Sequence, residues 1–392
     1  MKLSNRLLSI NGDPDADDGW GAYYKAVEML RAGEDVTMLC IGEHDFKTAP
    51  FILDAMEASA RGGNTGYALA RGQLPLREAV ARRVGAQTGV TTTEANITIT
   101  TGGQAALFAA VSASADPGEP VVIVDPHYAT YPATVCGPGC ALRKVKARPE
   151  TGFQLDRDDL MAATKGAKAL LINTPNNPTG AVYDAKTLEA IRAACIENDL
   201  WLISDEVYDG QVHEGEHVSP RTLPGMEERT MVIGSLSKSH VMTGFRLGWI
   251  VAPPAVIEGI HGLSNATTYG VPGFIQDAAT VALTEGDEFE AETAAKYRAR
   301  RDKAVAALKG ANKVSLSPPQ GAMYVMLDIR ATGMSGNDFA LGLLDEEKIA
   351  VMPGESFGEA AAGHLRVALT TDDDAMVDAL KRLAAYAERV AP

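Results

Sequence analysis

The chain has 392 residues, 46% hydrophobic and 22% charged, enough for a large core and for two domains. A formal net charge of -15 makes nucleic acid an improbable partner and reads as an acidic surface that aids solubility. Four cysteines (Cys40, Cys136, Cys140, Cys195), no apolar run resembling a signal peptide and no spanning-length segment lead us to expect free thiols in the cytoplasm and no membrane partner.

In chain order, Asp13 to Asp18 is a polar, aspartate-rich stretch expected to be an exposed arm. Ile97–Thr101 followed by Gly102-Gly103-Gln104 reads as strand, tight turn and helix start, an arrangement that binds anions through backbone N–H groups. The apolar run Ala169–Ile172 leads into Asn173–Gly180, with its Asn176-Asn177-Pro178 turn. An amphipathic helix is predicted from Asp184 to Asn198. A second apolar run, Leu200–Ser204, ends at Asp205-Glu-Val-Tyr208, and a third, Met231–Gly234, ends at Ser235-Leu-Ser-Lys-Ser-His240 with Arg246 just beyond. Such runs between helices argue for βαβ units and a mostly parallel sheet. A long charged helix, from Gly286 to Lys309, precedes Met323–Asp328. A helix, a strand around Leu365–Val367 and a terminal helix follow. These make a second α+β domain, joined in space by the N-terminal segment.

Ligands gather at the carboxyl ends of parallel strands, so Asn177, Asp205, Tyr208 and Lys238 should meet on one sheet edge. Lys238 would be an amine presented at the end of a buried strand. A Schiff-base amine must be partly uncharged, which a desolvated site or a cationic neighbour such as Arg246 favours. Hydroxyls and a guanidinium beside it suit a phosphate. Amine and phosphate site together point to pyridoxal phosphate, whose ring nitrogen stays protonated only beside a carboxylate, here Asp205. Asn177 and Tyr208 are placed to hydrogen-bond the ring oxygen.

His213-Glu-Gly-Glu-His217 fits the zinc-protease pattern, which works only on a helix. Gly210, Gly215 and Pro220 crowd the segment, so a loop and no metal are expected. Cys136 and Cys140 have no second ligand pair.

These motifs, together with Thr65–Ala68, Gly72, Leu76–Glu78 and Thr243–Gly248, resemble the class I/II aminotransferases, the aspartate-aminotransferase-like branch of fold type I pyridoxal phosphate enzymes. The resemblance runs from Leu39–Phe46 to Gly363–Val367. Several stretches outside the catalytic centre, including Leu223–Met226 and Val325–Arg330, are similar in wording to arginine–pyruvate transaminases.

The resemblance implies an α/β fold: a large domain with a mostly parallel, mixed seven-stranded sheet flanked by helices, plus a smaller α+β domain. We divide the chain into 1–45 (N-terminal arm and part of the small domain), 46–288 (large, cofactor-binding) and 289–392 (small). It implies Lys238 as the Schiff-base lysine and proton-shuttling base. Asp205 pairs with the ring nitrogen, and Asn177 and Tyr208 address the ring oxygen. Ser235, Arg246 and the backbone of Gly103 and Gln104 hold the phosphate. Tyr128 stacks on the ring, and Tyr67 reaches the phosphate of a partner subunit in a homodimer. Arg366, with Gly42 nearby, grips the substrate carboxylate, while Tyr128 and Asn177 also face substrate. His44 stands where the family often has proline, and Gln104 where lysine is common.

The implied reaction moves an amino group from an L-amino acid to a 2-oxo acid, pyruvate or 2-oxoglutarate, by a ping-pong cycle. A C–S β-lyase or racemase on the same scaffold, or a non-catalytic coenzyme-binding regulator, are the alternatives that product analysis separates.

Overall fold

The computed structural model describes residues 3–8, 10, 19–316 and 318–392. The aspartate-rich stretch from Asp13 to Asp18 lies outside the described residues. The largest sheet has seven strands: β1 (Ile97–Thr100), β2 (Pro120–Asp125), β3 (Ala141–Lys146), β4 (Ala169–Asn173), β5 (Trp201–Asp205), β6 (Thr230–Ser235) and β7 (Gly248–Val251). Their spatial order is β1-β7-β6-β5-β4-β2-β3. All pairs are parallel except those that β7 makes with β6 and β1.

Strands buried on both faces read as continuous apolar runs. Accordingly β4 and β6 are buried at every residue. Helices cover both faces. One, α1 (Gly103–Ser114), follows β1 directly, and its Ala106, Leu107, Ala110 and Val111 are buried. The amphipathic pattern from Asp184 to Asn198 becomes α2 (Ala185–Glu197), whose cap is the Asp184 carboxylate accepting from the Thr187 backbone N–H at 2.7 Å. Lys238 is not on the strand end itself. It rides a single helical turn, α3 (Leu236–Ser239), started by Ser235.

The long charged helix is α4 (Asp287–Ala307). Beyond it a four-stranded antiparallel sheet, with β8 (Ser315–Leu316), β9 (Tyr324–Asp328), β10 (Met352–Pro353) and β11 (His364–Ala368), runs in the order β10-β11-β9-β8. Thr37–Met38 pairs in parallel with Ile349–Ala350, so the N-terminal segment does join this region. Tyr297 of α4 packs in one core with Phe339, Leu365 and Leu380. His213–His217 forms no helix: His213 Nε2 lies 2.8 Å from the Ala322 carbonyl and His217 Nε2 3.0 Å from Glu206.

Candidate active site

Register puts the site at one edge. Asn173 is paired with Asp205, Asp205 with Ile233, Ser235 with Gly248, and Gly248 with Thr100. Four strand ends and one strand start therefore open together into a cavity of about 320 Å³. Gly42, Gly103, Gln104, Tyr128, Asn177, Asp205, Tyr208, Ser235, Lys238, Arg246 and Arg366 all line it. Of the predicted site residues, only Tyr67 is elsewhere. It is 93% exposed, its ring edge-on to Tyr269 at 5.2 Å.

Asp205 is buried, and burial raises its carboxyl to a pKa of about 6 against the opposing pull of its hydrogen bonds. Tyr131 Oη donates to Asp205 Oδ2 at 2.6 Å, and the Val207 N–H to Oδ1 at 3.3 Å. Among the described residues, no basic side chain pairs with this carboxylate. A buried acid so placed gains most from a cation entering the cavity. The neighbouring strand end orders the next residue. Asn173 accepts the Asn177 N–H at 2.7 Å and donates to the Asp205 carbonyl at 2.9 Å. Tyr208 Oη lies 3.1 Å from Tyr324 Oη, and burial raises its pKa.

The turn after β1, with Ser235 and Arg246, forms a candidate anion cradle at one end of the cavity. Gly102 has φ +84°, a left-handed conformation that glycine adopts without strain. A Cβ there would sit 2.5 Å from Arg246 Nη2, so the guanidinium packs against the glycine where a side chain would stand. Arg246 itself has φ 52°, a conformation unusual for a side-chain residue and tolerated where the surroundings enforce it. Its Nη1 donates to the Thr243 carbonyl at 2.7 Å. Ser235 Oγ accepts the Ser237 N–H at 3.1 Å and lies 2.9 Å from the Leu247 carbonyl. Gln104 turns its amide to Thr130 and Thr134, at 2.8 and 2.7 Å, and with Gly103 it lines the cavity at the start of α1, where N–H groups lack intrahelical acceptors.

Lys238 Nζ donates to the Gly42 carbonyl at 2.5 Å. A side chain at Gly42 would run into the Tyr324 hydroxyl. Across the cavity, Arg366 is buried between two rings, 4.5 Å from the centroid of Tyr324 and 4.4 Å from that of Phe357. It donates to Asn177 Oδ1 at 3.1 Å and to the Cys40 carbonyl, while its buried Nε has no partner. A guanidinium that lines a cavity suits a carboxylate.

Sequence reasoning missed Tyr131, Tyr324 and Phe357. All three have site partners remote in sequence, as Tyr131 has in Asp205, and carry no local signal.

Comparison with known proteins places this architecture. The family model for "Aminotransferase class I and II" matches residues 34–383. The chain belongs to this family. It is therefore an aminotransferase, and the expected family and fold hold. It is 39% identical over 386 residues to the arginine–pyruvate transaminase of Pseudomonas aeruginosa, covering 98% of each chain. It is 36% identical to the aspartate/prephenate aminotransferase of Thermus thermophilus, over 92% of this chain and 93% of the other. Among solved structures, the Thermus thermophilus aspartate aminotransferase with maleate superposes with TM-score 0.91 at 33% identity, covering 98% of this chain and 100% of the other. The aromatic aminotransferase of Pyrococcus horikoshii does so with TM-score 0.87 at 33% identity, over 93% and 99%.

Proposed function

We propose that this aminotransferase takes the amino group of an L-amino acid and passes it to a 2-oxo acid, pyruvate or 2-oxoglutarate, in two half-reactions on pyridoxal phosphate. One observation carries the reading: the Lys238 amine, on the turn after β6, and the Asp205 carboxylate at the end of β5, which no basic side chain among the described residues pairs with, open into the same cavity. The residues present fit the coenzyme. Asp205 would face the ring nitrogen, and Asn177 and Tyr208 the ring oxygen. Tyr128 would lie against the ring. Ser235, Arg246 and the N–H groups of Gly103 and Gln104 would hold the phosphate.

When bound, pyridoxal phosphate supplies an electron sink for charge at the substrate α-carbon. Asp205, kept ionised by that partner, holds the ring nitrogen protonated. Arg366 would bind the substrate α-carboxylate through its guanidinium and so turn the α C–H toward Lys238, and Gly42 leaves room there. Lys238 Nζ would take the proton from the substrate α-carbon and hold it for return, so one amine could serve as base and then acid. The packed rings of Tyr324 and Phe357 exclude water and stop Arg366 from swinging away.

Arginine is the donor suggested by the relative at 39% identity. We also propose a homodimer in which exposed Tyr67 reaches the partner's phosphate site, and the domain division given above, with its second boundary inside α4. The buried cysteines Cys40, Cys140 and Cys195 are free thiols, in keeping with a cytoplasmic enzyme. No helix among the described residues is long and apolar enough to cross a membrane. The test is a panel of the standard amino acids with pyruvate or 2-oxoglutarate, following the visible absorbance of bound coenzyme and the keto-acid product. Transfer with an identifiable donor is expected. Pyruvate and ammonia released from a cysteine conjugate, with no transfer from any donor, would overturn the reading.

A further inference from the structure

The turn that carries Lys238 is poorly self-supported. A helix of one turn leaves most of its carbonyls without intrahelical N–H partners. Of α3, only the Leu236 carbonyl is used in this way, by the His240 N–H at 3.1 Å. The carbonyls that follow are taken by side chains from elsewhere. Gln211 donates to the Lys238 carbonyl at 3.0 Å and Thr48 to the Val241 carbonyl at 2.5 Å. The Ser237 carbonyl, one residue before Lys238, faces His44 Nε2 at 3.3 Å.

His44 differs from the other two supports in what lies behind it. Its Nδ1 is 2.7 Å from the hydroxyl of Tyr297, a fully buried residue on α4. The ring also packs edge-on to Phe46 at 5.1 Å and to Tyr297 at 5.5 Å. The adjacent Asp45 is gripped by Arg300, one turn along α4, at 2.8 and 2.7 Å. Two residues upstream is Gly42, whose carbonyl holds the Lys238 amine. The strap from Gly42 to Thr48 is thus anchored on α4 and touches the lysine turn at three points.

The ring's protonation suits this place. Burial and the nearby Lys238 charge lower the His44 pKa to about 4, against the Ser237 carbonyl and Asp45, so the imidazole is neutral at working pH. A neutral imidazole has one N–H and one lone pair. The carbonyl requires the N–H at Nε2, and the phenol then donates to Nδ1. Both ring atoms are satisfied, in one tautomer only.

We propose that His44 is a positioning residue for Lys238: through Tyr297 and the Ser237 carbonyl it ties the lysine-bearing turn to α4 and keeps the amine on its line of approach to coenzyme and substrate. This rests on Lys238 being the coenzyme lysine. His44 itself touches neither reactant. Its loss should act on the reaction step and on covalent capture of coenzyme, and much less on substrate affinity.

The test uses the full-length protein. His44→Phe keeps an aromatic ring and removes both nitrogens. His44→Gln can restore the donor to Ser237, whereas His44→Asn can restore only the acceptor for Tyr297. We expect His44→Phe to slow covalent attachment of pyridoxal phosphate to the coenzyme-free protein about tenfold and to lower kcat by about 10- to 100-fold, the usual cost of misplacing a catalytic group. KM for the amino acid should stay within about threefold, because Arg366 is untouched. His44→Gln should recover most of the loss and His44→Asn should not. Attachment rate and kcat at wild-type values in His44→Phe would overturn the proposal, as would equal recovery by Asn and Gln. If His44→Phe does not fold, Tyr297→Phe, which deletes only the hydroxyl, carries the test, and wild-type rates in that variant would overturn it. Lys238→Ala keeps the two readings separate: a variant that still captured coenzyme covalently would remove the underlying assignment, whatever His44 does.

Discussion

The two ends of the cavity are built on different plans. The anion cradle is one contiguous edge of one sheet, where the β1 turn, the end of β6 and the segment ahead of β7 meet through register alone. Backbone N–H groups and one arginine pressed on a glycine do the work. The opposite end is assembled from segments far apart in the chain: Cys40 and Gly42 near the N-terminus, Asn177 after β4, Tyr324 on β9, Phe357, and Arg366 on β11. The cradle is as rigid as the sheet. The arginine end is only as well placed as the packing of the second sheet against the first. On the proposed function the cradle would hold a coenzyme that stays bound and the arginine end a substrate that enters and leaves.

Lys238 belongs to both ends, through Ser235 behind it and Gly42 ahead, so its removal should be the most damaging change. Lys238→Ala is expected to lose covalent coenzyme and to lower kcat by on the order of 10⁴-fold, seen as loss of visible absorbance and in a turnover assay.

Next comes the carboxylate of the cradle half. The folded pKa of Asp205, about 6, lies above its unfolded value, because burial disfavours the charge. The coenzyme-free fold therefore has this group's full contribution below about pH 4 and loses about 3 kcal/mol as pH rises through about 6. A cationic ring nitrogen removes that penalty. The gain in Tm on adding pyridoxal phosphate should thus increase from pH 5 to pH 7.5, and Asp205→Asn should flatten the trend. An unchanged trend in that variant would break the pairing.

At the other end, Arg366→Ala is expected to raise KM for the amino acid by about 30- to 150-fold, the worth of charge-assisted hydrogen bonds of about 2–3 kcal/mol, while covalent coenzyme stays in place. Loss of coenzyme in this variant would mean that the two ends are not separable. A smaller effect tests the support of Asp205: Tyr131→Phe removes a 2.6 Å hydrogen bond and should lower kcat about tenfold, with its acid limb moved to higher pH because the carboxylate loses a donor. Comparable in size is Tyr67→Phe. In a homodimer it should speed coenzyme dissociation about tenfold, as one hydrogen bond to an ionised phosphate predicts, and sedimentation should report a dimer.

Legibility followed the same division. The cradle, Asp205 and Lys238 were readable because each ends an apolar run, and register does the rest. The helix from Asp184 to Asn198 announced both its cap and its length. Tyr131, Tyr324 and Phe357 were not readable as site residues, since their partners are remote in sequence. His44 was visible only as a departure from the family's wording. Its bonds to Ser237 and Tyr297 belong to the packing of α4.

By itself the sequence determined the strand ends, their order and the chemistry they carry, because burial period and turn residues are local properties. The tertiary structure alone decided that Asp205 has no basic partner among the described residues, that Arg366 is wedged between two rings with its Nε–H unpartnered, and that the turn under Lys238 is held from α4. Each of those depends on which distant surfaces meet, and no local pattern of side chains specifies that.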